Sequence, residues 1–163
     1  MRILGIDPGY GIVGYGIIDS NTTTDVVDYG VISTPKELSL PDRLEIIYSS
    51  LQSLILSYKP DVVAVEELFY FKNQTTVIPV AEARGVILLS CKKAKVQVFE
   101  YTPLQIKQAL TGIGRAEKAQ VQFMVKSILG LDKVPKPDDA ADALAVAICH
   151  SQINPNLNQN RII

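Results

Sequence analysis

Four carboxylates stand where ordinary surface charge does not explain them. Asp7 follows the run Ile3-Leu4-Gly5-Ile6, and Glu66 follows Val62-Val63-Ala64-Val65. Both runs read as buried strands, and ligands in open α/β sheets gather at the carboxyl ends of strands. If the two strands are neighbours, two carboxylates meet there. Asp139 and Asp142 open the segment running to Ile148, which is apolar nearly all round and reads as a buried helix. An i, i+3 pair projects from one helix face and gains from the N-terminal dipole. An N-cap and a first-turn acid would explain that pair alone, but not together with Asp7 and Glu66. A buried carboxylate needs a partner, and no Lys or Arg is an immediate neighbour of these four. Carboxylates without histidine or cysteine suit a hard cation, Mg²⁺ or Mn²⁺. Two such ions about 4 Å apart can activate a water and stabilise the leaving oxygen in phosphodiester cleavage. Spacing leaves two choices open. Asp138 and Asp142, at i, i+4, also share a face, and Glu67 adjoins Glu66, although strand alternation points it the other way.

The elements that must position these acids follow from periodicity. Arg2 to Asp7 reads as a strand, Pro8-Gly9-Tyr10-Gly11 as a turn, Ile12 to Asp19 and Val26 to Thr34 as two more strands. Gly14 and Gly16 call for a close backbone approach. Leu44, Ile47, Tyr48, Leu51, Leu54, Ile55 and Tyr58 make one helical stripe between Pro41 and Pro60. Asp61 to Glu66 has the unbroken apolar run of a central parallel strand. A helix from Thr76 to Lys93, with Pro79 early in it, and a strand from Val96 to Tyr101 follow. Then come helices over Leu104–Leu110, Ala116–Leu129 and Asp139–Ser151. The order βββ-α-β-α-β-α-α-α predicts an α/β fold with a mixed five-stranded sheet: an antiparallel meander plus parallel strands, flanked by helices. Residues 1–152 read as one domain and 153–163 as a flexible tail.

The chain has 163 residues, 47% hydrophobic and 20% charged, enough for one well-packed core. Sixteen Lys and Arg against seventeen Asp and Glu leave a net charge of -1, which at face value disfavours a nucleic-acid binder. With the four candidate acids set aside, the remainder carries +3. The segment 107–126 holds Lys107, Arg115, Lys118 and Lys126 against Glu117 alone. This is an acidic pocket in a modestly basic face, and phosphate contact follows the local field. Cys91 and Cys149 lack metal-ligand spacing and read as buried free thiols of a reducing compartment. His150, the only histidine, reads as a cap or surface residue. Apolar stretches fall short of the roughly 18 residues of a membrane span, and no signal-peptide pattern opens the chain. The expected location is cytoplasmic.

Several motifs occur in order: Gly5-Ile6-Asp7-Pro8-Gly9 with Gly14-Tyr15-Gly16; Val65-Glu66 with Phe69; Glu82-Ala83-Arg84-Gly85; Gly112-Ile113-Gly114-Arg115-Ala116-Glu117-Lys118; and Asp139-Ala140-Ala141-Asp142-Ala143-Leu144-Ala145. Over nearly the whole chain the sequence resembles the RuvC family, the bacterial Holliday junction resolvases of the RNase H-like fold. The resemblance implies that Asp7, Glu66, Asp139 and Asp142 are the catalytic and metal-binding carboxylates, and it selects Asp139 over Asp138. It implies two Mg²⁺ per subunit, with Mn²⁺ as a substitute, and a homodimer that nicks two strands of a four-way DNA junction symmetrically in recombination and repair. It also implies the branch-migration proteins RuvA and RuvB as partners. Phe69 aligns with a base-stacking aromatic, and Lys107 and Lys118 with basic positions near the scissile phosphate. Backbone N–H groups of the Gly112–Gly114 turn, with Arg115, would also suit a phosphate.

Other readings remain at this level. The Asp7 loop is similar to the first phosphate loop of sugar kinases and actin-like ATPases, which need two such domains. An interaction module without activity would lack a carboxylate, and none is missing. Another nuclease of this fold would prefer RNA or a different branched DNA.

Overall fold

The computed structural model describes residues 1–68, 75–153 and 158–163. Strands β1 (Arg2–Asp7), β2 (Ile12–Ser20) and β3 (Thr24–Ser33) form the expected meander. Helix α1 (Leu40–Tyr58) leads to β4 (Val62–Glu66), and α2 (Val77–Lys93) to β5 (Gln97–Tyr101). Helices α3 (Pro103–Thr111), α4 (Lys118–Ile128) and α5 (Asp138–Gln152) complete the order. The sheet runs β3-β2-β1-β4-β5. β1 pairs antiparallel with β2 and parallel with β4, which in turn pairs parallel with β5. The central place of β4 explains its unbroken apolar run, because both its faces are covered.

Alternation divides the core into two layers. Ile3, Val62 and Ala64 pack towards α3, α4 and α5, whereas Leu4, Ile6, Val63 and Val65 pack towards α1 and α2. The next residues in step, Asp7 and Glu66, therefore belong to the α5 face.

Helix boundaries have local causes. Ser39 caps α1 by accepting from the Asp42 N–H, and Pro41 lies in its first turn, where no N–H is missed. Thr102 and Gln105 form a reciprocal capping box at the start of α3, and Gly112 closes that helix at φ 73°.

Helix α5 lies against β1 and β2 at unusually short range. A Cβ on Gly14 would sit 2.0 Å from the Asp139 carbonyl oxygen, and one on Gly5 2.1 Å from that of Ala143. Glycines on the strands and alanines on the helix are thus one device: neither surface has side chains long enough to hold the other away. Leu144, Val146 and Ile148 then fill the remaining space with no exposed surface, each burial contributing roughly 1.5–3 kcal/mol.

The structure departs from one expectation, at His150, and adds backbone contacts at residues 161–163. His150 is neither a cap nor a surface residue: it is 7% exposed, and its Nδ1 lies 2.7 Å from the Tyr101 hydroxyl. Helix α5 is buried to its last turn, so even its C-terminal end faces β5. The end of the expected tail also returns to the sheet. Arg161 pairs with Phe99, and the Ile162 N–H donates to the Val98 carbonyl at 2.9 Å, covering the outer edge of β5, which would otherwise present unpaired backbone groups. Cys91 and Cys149 are free and buried, and burial pushes both thiols up to about 12.

Candidate active site

The parallel register sets Ile6 beside Val65, so Asp7 and Glu66 leave adjacent strands on the same face. They border a cavity of about 440 Å³ together with Asp142, Lys107, Lys118 and Glu67. Val80, Ile106 and Val121 supply apolar wall, which lowers the local dielectric and strengthens every charge interaction inside. Helix α5 brings its N-terminal turn over the ends of β1 and β2, because Gly14, the partner of Asp7 in the ladder, has no side chain to block it.

The electrostatics are those of crowded like charge. Burial, then the neighbouring charges of Glu66, Asp142 and Asp139, hold the Asp7 carboxyl well above the usual carboxylate range, against a smaller opposing effect of Lys118. Burial also raises Asp142, opposed by Lys118. Lys118 Nζ donates to Asp142 Oδ2 at 3.1 Å and lies 3.5 Å from Asp138 Oδ2. Burial disfavours the Lys118 charge, but these carboxylates outweigh it and the ammonium is raised.

The structure separates the acids whose spacing was ambiguous. Asp138 accepts from Lys136 at 2.6 Å and, through that bond first, is held below the usual carboxylate range. It is absent from the charges that raise Asp7, whereas Asp139 is among them. Glu67 also borders the cavity, one residue past the strand. Strand β4 ends at Glu66, and alternation lapses beyond the ladder, where the Glu67 N–H donates to the Tyr101 carbonyl at 2.8 Å. Of the basic residues, Lys107 and Lys118 border the cavity, while Arg115 stands exposed in the turn between α3 and α4 and does not line it. Phe69 lies outside the described residues. Arg84 of α2 forms an ion pair with Glu100 of β5, tying the helix that follows the site to the sheet. The separation of 16 residues hides that pair from any local pattern.

The donor set fits a hard divalent cation. Among the described residues the titratable groups lining the cavity are carboxylates and lysines, with no imidazole or thiolate, and a bound cation would offset the repulsion and desolvation that raise Asp7. Among the described residues no three acidic, histidine or cysteine side chains converge closely enough to enclose an ion as they stand. The Lys118 ammonium instead supplies the cation beside Asp142.

A mixed five-stranded sheet with acids at the ends of its two central parallel strands and at the start of the helix across them defines the RNase H-like nuclease class. The family model described as crossover junction endodeoxyribonuclease RuvC matches residues 3–150. The chain belongs to the RuvC family of crossover junction endodeoxyribonucleases. It is 57% identical over 152 residues to the RuvC of Caldicellulosiruptor saccharolyticus, covering 92% of each chain. It is 58% identical to that of Syntrophomonas wolfei over 92% of this chain and 88% of the relative. The RuvC structure from Thermus thermophilus superposes with a TM-score of 0.89 at 32% identity, covering 99% of this chain and 98% of that one. The T. thermophilus RuvC in complex with Holliday junction substrate gives 0.84 at 32% identity over 93% of each chain. Nucleases of this family are metal-dependent. Among the described residues no helix is long and apolar enough to cross a membrane.

Proposed function

We propose that this chain is a structure-selective endodeoxyribonuclease that resolves four-way (Holliday) DNA junctions by paired symmetric nicks in recombination and repair. The observation that carries the reading is the meeting of Asp7 and Glu66 on one face of adjacent parallel strands, under the N-terminal turn of α5. Asp7, Glu66, Asp139 and Asp142 would hold the metal, two Mg²⁺ per subunit with Mn²⁺ as the substitute. When bound, the metal supplies Lewis-acid activation of water and neutralises charge at the phosphate.

The chain's own residues do the rest. Asp7, held by burial and like charge well above the usual carboxylate range, would be one of the donors to that metal. Lys118 is already poised at Asp142 and stabilises the negative charge that grows on the phosphate oxygens during in-line attack. Lys107 holds the phosphate from the α3 side of the cavity, and Arg115 contacts the backbone farther along the strand. Phe69 follows Glu66 closely enough in sequence to stack on a base beside the cut.

The enzyme works as a homodimer, one site per subunit, because a symmetric junction presents two equivalent strands. Helix α2 supports this reading. Ile78 is 69% and Leu89 54% exposed, and Gly85 lies in the same helix with open space where its Cβ would be. An apolar stripe with a glycine in it suits close packing against a second copy of the helix. Residues 1–152 form the single nuclease domain, the location is cytoplasmic, and RuvA and RuvB are the partners that deliver the junction.

A cleavage panel of four-way junction, flap, linear duplex and RNA–DNA hybrid tests the reading. Symmetric nicks in the four-way junction, dependent on Mg²⁺, support it. Preferential cleavage of the hybrid would replace it with a ribonuclease.

A further inference from the structure

Asp7 is held by the sheet on one side only. The β1–β2 ladder extends to Asp7 and Gly14, but the β1–β4 ladder stops at Ile6 and Val65. Repulsion from Glu66, Asp139 and Asp142 acts on a residue at the free end of a strand. Whatever fixes the next residues, the turn 8–11, therefore completes the restraint on the Asp7 carboxylate. Pro8, the first of them, borders the same cavity.

That turn is clamped from behind by two residues with no other assigned role. Thr34, just past the end of β3, is 7% exposed and one of few buried polar side chains. Its hydroxyl donates to the Tyr10 carbonyl at 2.6 Å, and its N–H donates to the Gly11 carbonyl at 2.9 Å. The same hydroxyl accepts from Arg43 Nε at 2.8 Å. The Arg43 guanidinium also lies over the Tyr10 ring, 4.5 Å from its centroid. Among the described residues Arg43 forms no ion pair, so its charge is spent on an aromatic face and a hydroxyl. A guanidinium serves both at once, since its planar fork donates sideways while its face stacks.

We propose that Arg43 is a positioning residue for the nuclease reaction: with Thr34 it locks the Tyr10–Gly11 turn and so holds Asp7 at the distance its metal and substrate require. This rests on the nuclease reading above. Arg43 touches neither substrate nor the reacting atoms. Its effect passes through the backbone from Tyr10 to Asp7.

The test compares the parent chain with Arg43→Ala, Arg43→Lys and Tyr10→Leu in three measurements. These are single-turnover cleavage of a saturating synthetic four-way junction in Mg²⁺, junction Kd in EDTA, and the rise in Tm on adding Mg²⁺. Misplacement of a catalytic group by about 1 Å costs up to roughly 100-fold, so Arg43→Ala should cut the saturated rate about 10- to 100-fold. Junction Kd should change little, and the Mg²⁺-induced rise in Tm should shrink. Arg43→Lys should recover part of the rate, because an ammonium still sits over the ring, and Tyr10→Leu should behave like Arg43→Ala. If Arg43→Ala does not fold, Arg43→Lys and Tyr10→Leu decide. A parent-like saturated rate in these variants overturns the proposal. So does a weakened junction Kd with an unchanged saturated rate, which would make Arg43 a direct phosphate contact. If the parent cuts no junction, the nuclease reading fails, and the Mg²⁺ shift in Tm still decides whether Arg43 positions Asp7.

Discussion

The two ends of β1 treat charge in opposite ways. At the start of the strand, the Arg2 guanidinium grips Asp19 with two bonds, Nε to Oδ1 at 2.9 Å and Nη2 to Oδ2 at 2.8 Å. It donates a third bond to the Tyr58 carbonyl at 2.9 Å, while the Arg2 backbone N–H donates to Asp61 at 2.6 Å. Asp19 is accordingly held below the usual carboxylate range, through its bond to Arg2 first. At the other end Asp7 meets three further carboxylates and is held well above that range, by burial first. One end has its acids satisfied by the chain itself. The other leaves an excess of negative charge that a divalent cation would offset. The difference marks which end of a sheet is structural and which does chemistry.

The largest effect belongs to Asp7→Asn, which should lower four-way junction cleavage by about 10³-fold or more while junction binding persists. Gel-based cleavage and binding assays on the same junction read both. Lys118→Ala should be next, with a saturated cleavage rate lower by roughly 10²–10³-fold, the cost of removing one preorganised donor to a developing charge. Kd for the junction should change less than the rate.

Gly14→Ala attacks the geometry rather than the charge. Its Cβ would overlap the Asp139 carbonyl, so α5 must lift and carry Asp139 and Asp142 away from Asp7. A loss of about 1–3 kcal/mol in urea unfolding is expected, with cleavage lost alongside it. The smallest effect belongs to the paired end. Arg2→Met should lower Tm slightly, and less so in high salt, because the pair is part-exposed. It should also remove a pH dependence. The depressed folded value of Asp19 stabilises the fold above its ordinary titration near 3.9. That contribution is lost as pH falls through the folded value.

How much of this was legible depends on whether the signal was local. Asp7 and Glu66 could be read directly, since an acid ending a run of apolar, β-branched residues breaks the pattern that surrounds it. The mixed sheet was legible too, from the change between short-turn strands and strands alternating with helices. Spacing alone leaves Asp138 and Asp139 open, because both spacings to Asp142 share a helix face, and only the family resemblance selects Asp139. What separates them in the structure is the Lys136 ammonium on Asp138, two residues away, a rotamer choice of two exposed side chains that spacing does not encode. Lys118 and Asp142 are 24 residues apart, and no periodicity links them. The glycines at 5, 14 and 16 and the alanines of α5 were half a message: each is small, but only the packing shows that they face one another. His150 was misjudged although the apolar surroundings of α5 implied burial to its end.

Burial and like charge strain the acidic end of β1 in the protein alone, and a divalent cation should relieve it. A group whose folded value is raised contributes stability that is fully present below its unfolded value and lost as pH rises through the folded one. Asp7 should therefore weaken the metal-free fold at pH 7, and its amide should not. The direct measurement is the Tm of the parent and of Asp7→Asn at pH 7, in EDTA and in Mg²⁺. Asp7→Asn should melt higher than the parent in EDTA, and Mg²⁺ should raise the parent by clearly more than the variant. A variant that melts lower in EDTA, or an equal Mg²⁺ shift in both proteins, would contradict it.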